Sequence, residues 1–70
     1  MKLRCWSELS KREVEVLRLL AEGFSNKEIA KELNLAVSTI ANYTNSIYTR
    51  LSVDNRVRAI IVGRERGWIE

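Results

Sequence analysis

The residues best suited to recognising another molecule lie in a run of twelve, Ser38 to Thr49, which reads STIANYTNSIYT and has no charged side chain. In the whole chain, 30% of the residues are Asp, Glu, Lys or Arg. At about 100° per residue, one helical stripe of this run holds Ser38, Ala41, Asn42, Asn45 and Thr49. Their hydroxyls and amides can both donate and accept hydrogen bonds. Because an exposed helix face usually carries charged side chains, this stripe is the first candidate for a recognition surface.

The composition contains few of the residues that catalysis or metal binding usually requires. The chain has no His and a single cysteine, Cys5. An intramolecular disulfide and a cysteine-based metal site are therefore excluded, and the usual general base is missing. No Asp or Glu pair stands in an apolar setting that would shift its pKa for acid–base catalysis. We expect no enzymatic activity, no metal and no other cofactor.

Length and composition favour one small helical domain, residues 1–70. An apolar fraction of 46%, no Pro and three Gly indicate an all-α fold with little loop. Twelve Lys and Arg against nine Asp and Glu give a net charge of +3, which fits a nucleic-acid partner and equally an ordinary soluble protein. No apolar run approaches the ~20 residues of a membrane span, and the first residues lack the apolar core of a secretory signal. We therefore expect a cytoplasmic protein without a membrane partner.

Two six-residue stretches, Leu9 to Val14 and Phe24 to Ile29, mark helix starts in the same way. In each stretch a Ser is followed three residues later by Glu, and apolar residues stand just before the Ser and four positions after it. This pattern is a capping box closed by a hydrophobic staple. It predicts that helices begin directly after Ser10 and Ser25.

The apolar spacing predicts four helices, at about 11–22, 26–33, 37–51 and 56–66. The residues expected to face the core in the first three helices are Val14, Leu17, Leu20, Ala21, Ile29, Ala30, Leu33, Ile40, Tyr43, Thr44, Ile47 and Leu51. Trp6 and Trp68, near the two ends of the chain, are interpreted as lids that complete a small core.

The fourth predicted helix, with Asn55 or Asp54 as its N-cap, is apolar around nearly its whole circumference. Such a helix has a second surface to bury besides its core-facing side. Ala59, Ile60 and Gly63 supply the core-facing side. The residues left for the second surface are Val57, Ile61 and Val62. That surface either packs within the domain or joins two copies of the chain, and we predict a homodimer contact.

A two-turn helix, a turn of about three residues and a longer helix with a small polar face together predict a helix-turn-helix. The stretch from Leu9 to Leu35 reads LSKREVEVLRLLAEGFSNKEIAKELNL, and it is followed by Thr39, Ile40, Ile47, Leu51, Asn55, Arg56 and Ala59. Over about residues 8–68 this pattern closely resembles the LuxR-type (LuxR/FixJ, GerE-like) DNA-binding domain. The part from Glu22 to Ala30 is highly specific for that family.

The resemblance implies a four-helix domain of transcription regulators, including response regulators, that binds double-stranded DNA as a dimer. The third helix is expected in the major groove and the fourth at the dimer contact. Base-reading positions of the family fall on Ala41, Asn42 and Asn45, and we add Ser38 from the same stripe. Relatives often have Lys at the first and third of these positions. Because Asn pairs well with adenine and an Ala methyl packs on thymine, we predict an A·T-leaning half-site.

We predict phosphate contacts at helix ends rather than on the reading stripe, the name used here for Ser38, Ala41, Asn42, Asn45 and Thr49. Helix N-termini attract anions, so Ser25, Asn26 and Lys27 are candidates at the start of the second helix. Thr39 and Arg50, near the two ends of the third helix, are candidates as well. For Arg50 a solvated surface position is an equal alternative.

The chain also departs from the family pattern. Ala36 stands where relatives usually cap the third helix with Ser, at a cost of about 1 kcal/mol. Tyr43 replaces a frequent His. Arg58 replaces a usual Glu and places a positive charge in the first turn of the fourth helix, against the helix dipole. We expect Arg58 to reach a phosphate or the dimer mate.

Two other functions are compatible with these residues. A sigma-factor region 4 has a similar helix-turn-helix, including the Val-Ser-Thr-Ile run from Val37 to Ile40. The chain could instead be a protein-interaction module that sequesters a DNA-binding relative, since basic residues are sparse. Relatives usually carry an N-terminal receiver or ligand-sensing domain, so the chain is either a stand-alone regulator or a fragment of one that has such a domain.

Overall fold

The computed structural model describes residues 9–69. These form four helices in the order α1 Lys11–Ala21, α2 Asn26–Leu33, α3 Val37–Leu51 and α4 Arg56–Glu65, and the described part of the chain has no strand. The predicted all-α, four-helix fold is confirmed. α1 and α4 each end one residue earlier than predicted, because Glu22 and Arg66 are their C-caps. None of these helices is long and apolar enough to cross a membrane.

Both predicted capping boxes are present. The Ser10 hydroxyl accepts from the Glu13 N–H at 3.2 Å, and the Glu13 carboxylate accepts from the Ser10 N–H at 2.8 Å. Ser25 and Glu28 make the same pair of bonds at 3.1 and 2.8 Å. Reciprocal bonds of this kind satisfy donors that a helix start leaves open, which explains why α1 and α2 begin where the sequence indicates.

The other two helices start differently. Asn55 is the N-cap of α4, and its side chain accepts from the Arg58 N–H at 2.9 Å. Ala36, the N-cap of α3, makes no side-chain capping bond. Three residues, from Asn34 to Ala36, connect α2 to α3, and Asn34 turns the chain in the left-handed conformation with φ of 60°. The turn predicted between the two helices is therefore confirmed.

The core lies where α1 and α3 pack against each other and against α2 and α4. On α1 the buried side is formed by Glu13, Val16, Leu17 and Leu20, whereas Val14 is only half-buried. The predicted core face, which held Val14 and Ala21 but omitted Val16, is thus wrong in part. Both valines are compatible with an apolar stripe, and contact of α1 with three other helices decided between them.

The predicted inward stripe of α3 is confirmed, because Ile40, Thr44, Ile47 and Leu51 are buried and Tyr43 is half-buried. α4 approaches the core through Ala59 and Gly63. A Cβ atom added to Gly63 would lie 2.8 Å from Leu17 Cδ2, so a larger residue there would force the Leu17 side chain to shift. Trp68 packs half-buried against the core, as a lid would. Trp6 and Cys5 lie outside the described residues.

Candidate nucleic-acid interface

The outer stripe of α3 is an uncharged, solvent-facing surface. Ser38, Asn42, Asn45 and Thr49 are exposed and Ala41 is half-buried. In the part of the chain that the structure describes, the Asn42 and Asn45 amides make no side-chain hydrogen bond. Each amide therefore keeps its two N–H donors and its oxygen acceptor for an outside partner. The predicted base-reading residues are brought together on one helix face.

α2 and the short turn after it hold α3 in position. Ile29 and Ala30 of α2 are buried, and the small Ala30 side chain lets α3 approach closely. The Leu35 N–H donates to the Ala30 carbonyl at 2.8 Å, which fixes the direction in which the chain leaves α2. A short first helix, a tight turn and a longer second helix with an open outer face form a helix-turn-helix.

The start of α2 holds three of the residues predicted to contact phosphate. Ser25 and Lys27 are exposed and Asn26 is half-buried. The Ser25 hydroxyl and N–H are both engaged with Glu28 in the capping box. The donors left there are the N–H groups of the first turn and the Lys27 ammonium, and the Glu28 carboxylate is a nearby opposing charge.

Glu13 is the residue of this region that sequence reasoning missed. It is 4% exposed, and its second carboxylate oxygen accepts from the Ser46 hydroxyl of α3 at 2.6 Å. Burial raises the pKa of Glu13, but the hydrogen bonds from Ser46 and Ser10 and the charge of Arg50 outweigh burial and hold this pKa below its ordinary value. A single ionised carboxylate thus ties the start of α1 to the middle of α3.

Two signals could have revealed this role. Glu13 lies three, four and seven residues before Val16, Leu17 and Leu20, so it shares their core-facing stripe. Ser46 interrupts the apolar spacing of α3 beside Ile47. A polar residue on each of two facing helices indicates a hydrogen bond between them, because buried polar groups are paired.

Arg50 belongs to the same cluster. Its guanidinium lies 3.5 Å from the Glu13 carboxylate, and its side chain is 49% exposed. The carboxylate is buried and the guanidinium is half-exposed, so water screens this pair from the Arg50 side only. Arg50 is therefore neither purely solvated nor fully enclosed. Thr39, the other predicted phosphate contact on α3, is half-buried and lies about 16 Å back along the helix axis.

A second surface lies on α4. Val57 is 64% exposed and Ile61 is 45% exposed, and their spacing of four residues places them on one face. Arg58 is exposed beside them, while Val62 is half-buried against the core. Arg56 has a structural role, because its guanidinium donates to the Phe24 carbonyl at 3.1 Å and fastens the start of α4 to the connection before α2.

In residues 9–69, no group of three or more His, Cys, Asp or Glu side chains is arranged to hold a metal ion. The groups that the structure does bring together are hydrogen-bonding amides and hydroxyls on the outer side of α3, with Arg50 near the end of the same helix. Their chemistry suits recognition of polar edges and anions rather than bond breaking.

Known proteins with this architecture are regulators of transcription. The chain is similar to the transcriptional regulatory protein DesR of Bacillus subtilis, with 45% identity over 62 residues that make up 89% of this chain and 31% of that protein. The crystal structure of the response regulator ChrA matches with a TM-score of 0.86 and 38% identity, covering 97% of this chain and 33% of ChrA. The structure of the transcription factor GerE matches with a TM-score of 0.86 and 30% identity, covering 91% of this chain and 96% of that chain.

The chain thus spans about a third of the length of DesR and ChrA and nearly all of the GerE structure. A sequence model described as "Bacterial regulatory proteins, luxR family" matches residues 7–62, well over half of the chain. The family match, the helix order and the GerE likeness agree, so the chain belongs to the luxR family of bacterial regulatory proteins and contains its helix-turn-helix DNA-binding domain.

Proposed function

We propose that this domain binds double-stranded DNA sequence-specifically, in the cytoplasm, with α3 in the major groove. The observation that carries the proposal is the outer stripe of α3, where Asn42 and Asn45 are exposed, uncharged and without a side-chain hydrogen bond in the described residues. In a helix-turn-helix the second helix lies in the major groove. Amides are suited to base edges there, because each can donate and accept at once.

On α3, bases are read by Ser38, Ala41, Asn42 and Asn45. Asn pairs bidentately with adenine N6 and N7, and the Ala41 methyl packs on a thymine methyl. Without Lys on this stripe, the donors best suited to guanine are missing. The half-site is therefore rich in A·T pairs.

Phosphates are contacted around the stripe rather than on it. Lys27 and the first N–H groups of α2, including that of Asn26, face one strand together with Ser25, and Thr39 and Arg50 contact the backbone near the two ends of α3. These groups set the position of the helix on the duplex without reading sequence. Since few of them are cationic, affinity is modest and depends on salt.

A homodimer forms through α4, because the exposed apolar side chains of Val57 and Ile61 favour burial against a second copy. Arg58 and Val62 border this contact. Two copies then place two α3 helices in successive major grooves, about one helical turn apart. Sedimentation with operator DNA tests this, because the Val57→Asp, Ile61→Asp double variant is expected to bind as a monomer. Unchanged dimerisation would contradict the contact.

The domain works as the output part of a longer regulator. The relatives DesR and ChrA are about three times as long as the matched part, and ChrA is a response regulator. A regulatory domain, which the family resemblance implies on the N-terminal side, would then control when this domain binds DNA. The family match favours this function over a sigma-factor region 4.

Selection from random duplexes, followed by titration of binding against salt, tests the DNA-binding function. We expect A·T-rich half-sites, and an association constant whose logarithm falls linearly with the logarithm of the salt concentration. A G-rich selected half-site would contradict the assignment of Asn42 and Asn45. No duplex binding at any salt concentration would favour the alternative in which the domain sequesters a DNA-binding relative.

A further inference from the structure

Val37 is an exposed apolar residue that neither the core nor the α4 surface explains. It is the first residue of α3, and 48% of its side chain is accessible. Among the described residues, the other large exposed hydrophobic side chains are Val57 and Ile61, both on α4. Single exposed apolar residues are common on protein surfaces, so it is the place of Val37 on α3, rather than its exposure alone, that points to a partner.

Val37 borders the reading stripe on the side of Ala41. Val37, Ala41 and Asn45 are spaced by four residues, so they form one ridge along α3. Val37 and Ala41 are separated by about 6 Å along the helix axis, which is roughly two base-pair steps of 3.4 Å. In helix-turn-helix proteins the N-terminal residues of the second helix contact base edges.

The charges near Val37 also suit DNA. The first turns of α1 and α2 contain Glu13 and Glu28, whereas the first turn of α3 contains no acidic residue. The start of α3 therefore brings the positive end of the helix dipole close to phosphates without an opposing carboxylate. In the major groove, the apolar group offered by a base pair is the 5-methyl group of thymine.

We propose that Val37 is a specificity-determining residue that packs on a thymine 5-methyl group, about two base pairs from the base that faces Ala41. This inference rests on the proposed binding of α3 in the major groove. Continuity with Ala41 and Asn45 on one ridge favours a base over a second copy of the chain or another protein.

Replacing thymines by uracil, one at a time, in a duplex selected by the unsubstituted chain tests this contact, because uracil keeps base pairing but lacks the methyl group. With the unsubstituted chain, uracil at one position in each half-site is expected to weaken binding about fourfold, the effect of one buried methyl group. With Val37→Ala, that penalty should disappear at this position and remain at others. Glu32→Ala is the control, since Glu32 is exposed on α2 and belongs to neither the proposed base contacts nor the proposed dimer contact; it should keep the full penalty.

Two results would overturn the inference. Equal uracil penalties with the unsubstituted chain and Val37→Ala would show that Val37 touches no thymine methyl, and any affinity that Val37→Ala then loses equally for both duplexes belongs to a contact with the DNA backbone, a second copy or another protein. If the unsubstituted chain selects no duplex, the proposed function fails as well, whereas the first result leaves that function standing. Unchanged thermal unfolding of Val37→Ala confirms that the fold is intact.

Discussion

α1 and α2 begin with the same capping box, yet the glutamate that closes each box has different surroundings. Glu28 is exposed, and within residues 9–69 its hydrogen bonds are those with Ser25 at its own helix start. Glu13 is 4% exposed and also accepts a hydrogen bond from Ser46, 33 residues further along the chain. One pattern therefore stabilises a helix end in α2, and in α1 it additionally fixes the helix that carries the reading stripe. A local motif indicates where a helix starts but leaves open what else its side chains hold.

The largest expected difference between the two helix starts is the loss in the free energy of unfolding when each glutamate is replaced by alanine. Glu13→Ala deletes a capping bond and leaves the Ser46 hydroxyl without its acceptor, so we expect a loss of about 2–3 kcal/mol in the free energy of unfolding. Glu28→Ala deletes only an exposed capping bond and should cost about 0.5–1 kcal/mol. Urea unfolding of both variants measures the two values. Equal losses would mean that the bond between Glu13 and Ser46 adds nothing to stability.

Acid should also affect the starts of α1 and α2 differently, although the difference in stability should be smaller than that between the two alanine variants. The pKa of Glu13 is lowered from its ordinary value of 4.5 in the folded protein. A carboxylate with a lowered pKa contributes its full stabilisation above the ordinary value and loses it as the pH falls through the folded-state value. We therefore expect the unsubstituted chain to lose stability below about pH 4.5. Glu13→Gln should show a flatter profile there, measured as Tm against pH.

The matched control for the acid experiment is Glu28→Gln, which keeps Glu13 and should retain the steeper profile of the unsubstituted chain. If the unsubstituted chain and Glu13→Gln lost stability in parallel between pH 5 and pH 3, other carboxylates would govern acid unfolding. Glu13 would then have no special part in it.

The smallest expected effect concerns DNA binding. Glu28 lies beside the proposed phosphate contacts Asn26 and Lys27, so Glu28→Gln removes an opposing charge while an amide oxygen can still accept from Ser25. We expect binding of the selected duplex to strengthen about twofold at low salt, as befits an exposed and screened charge. Glu13→Gln is expected to weaken binding instead, because it loosens the attachment of α3. Fluorescence anisotropy distinguishes the two directions, and a stronger complex with Glu13→Gln would contradict the positioning role.

Much of the fold was predictable from local chemistry. The two capping boxes and the turn after α2 are short-range features found where the sequence indicates, and Asn55 is one of the two N-caps that the sequence allowed for α4. The choice between Val14 and Val16 on α1 was not predictable, because both are apolar and both fit a helical stripe. Packing of α1 against three other helices settled it.

In the candidate site, too, some features were predictable from the sequence and others were not. The stripe from Ser38 to Thr49 was predictable, because the 3.6-residue period alone places its polar residues on one side. The environment of Arg50 was not, since the sequence allowed a solvated side chain as readily as a phosphate contact. Its ion pair with Glu13 joins residues 37 positions apart and exists only once α1 lies against α3.

The sequence by itself determined where the helices begin and turn, and which polar groups share the outer side of α3, because caps and periodicity act within a few residues. The tertiary structure decided that Glu13 holds α3 through Ser46, that Val16 rather than Val14 fills the core, and that Val37 stays exposed to solvent. Those outcomes depend on which helix faces which. Burial is set by contacts between residues far apart in the chain, and the free energy of those contacts is gained only when all four helices pack.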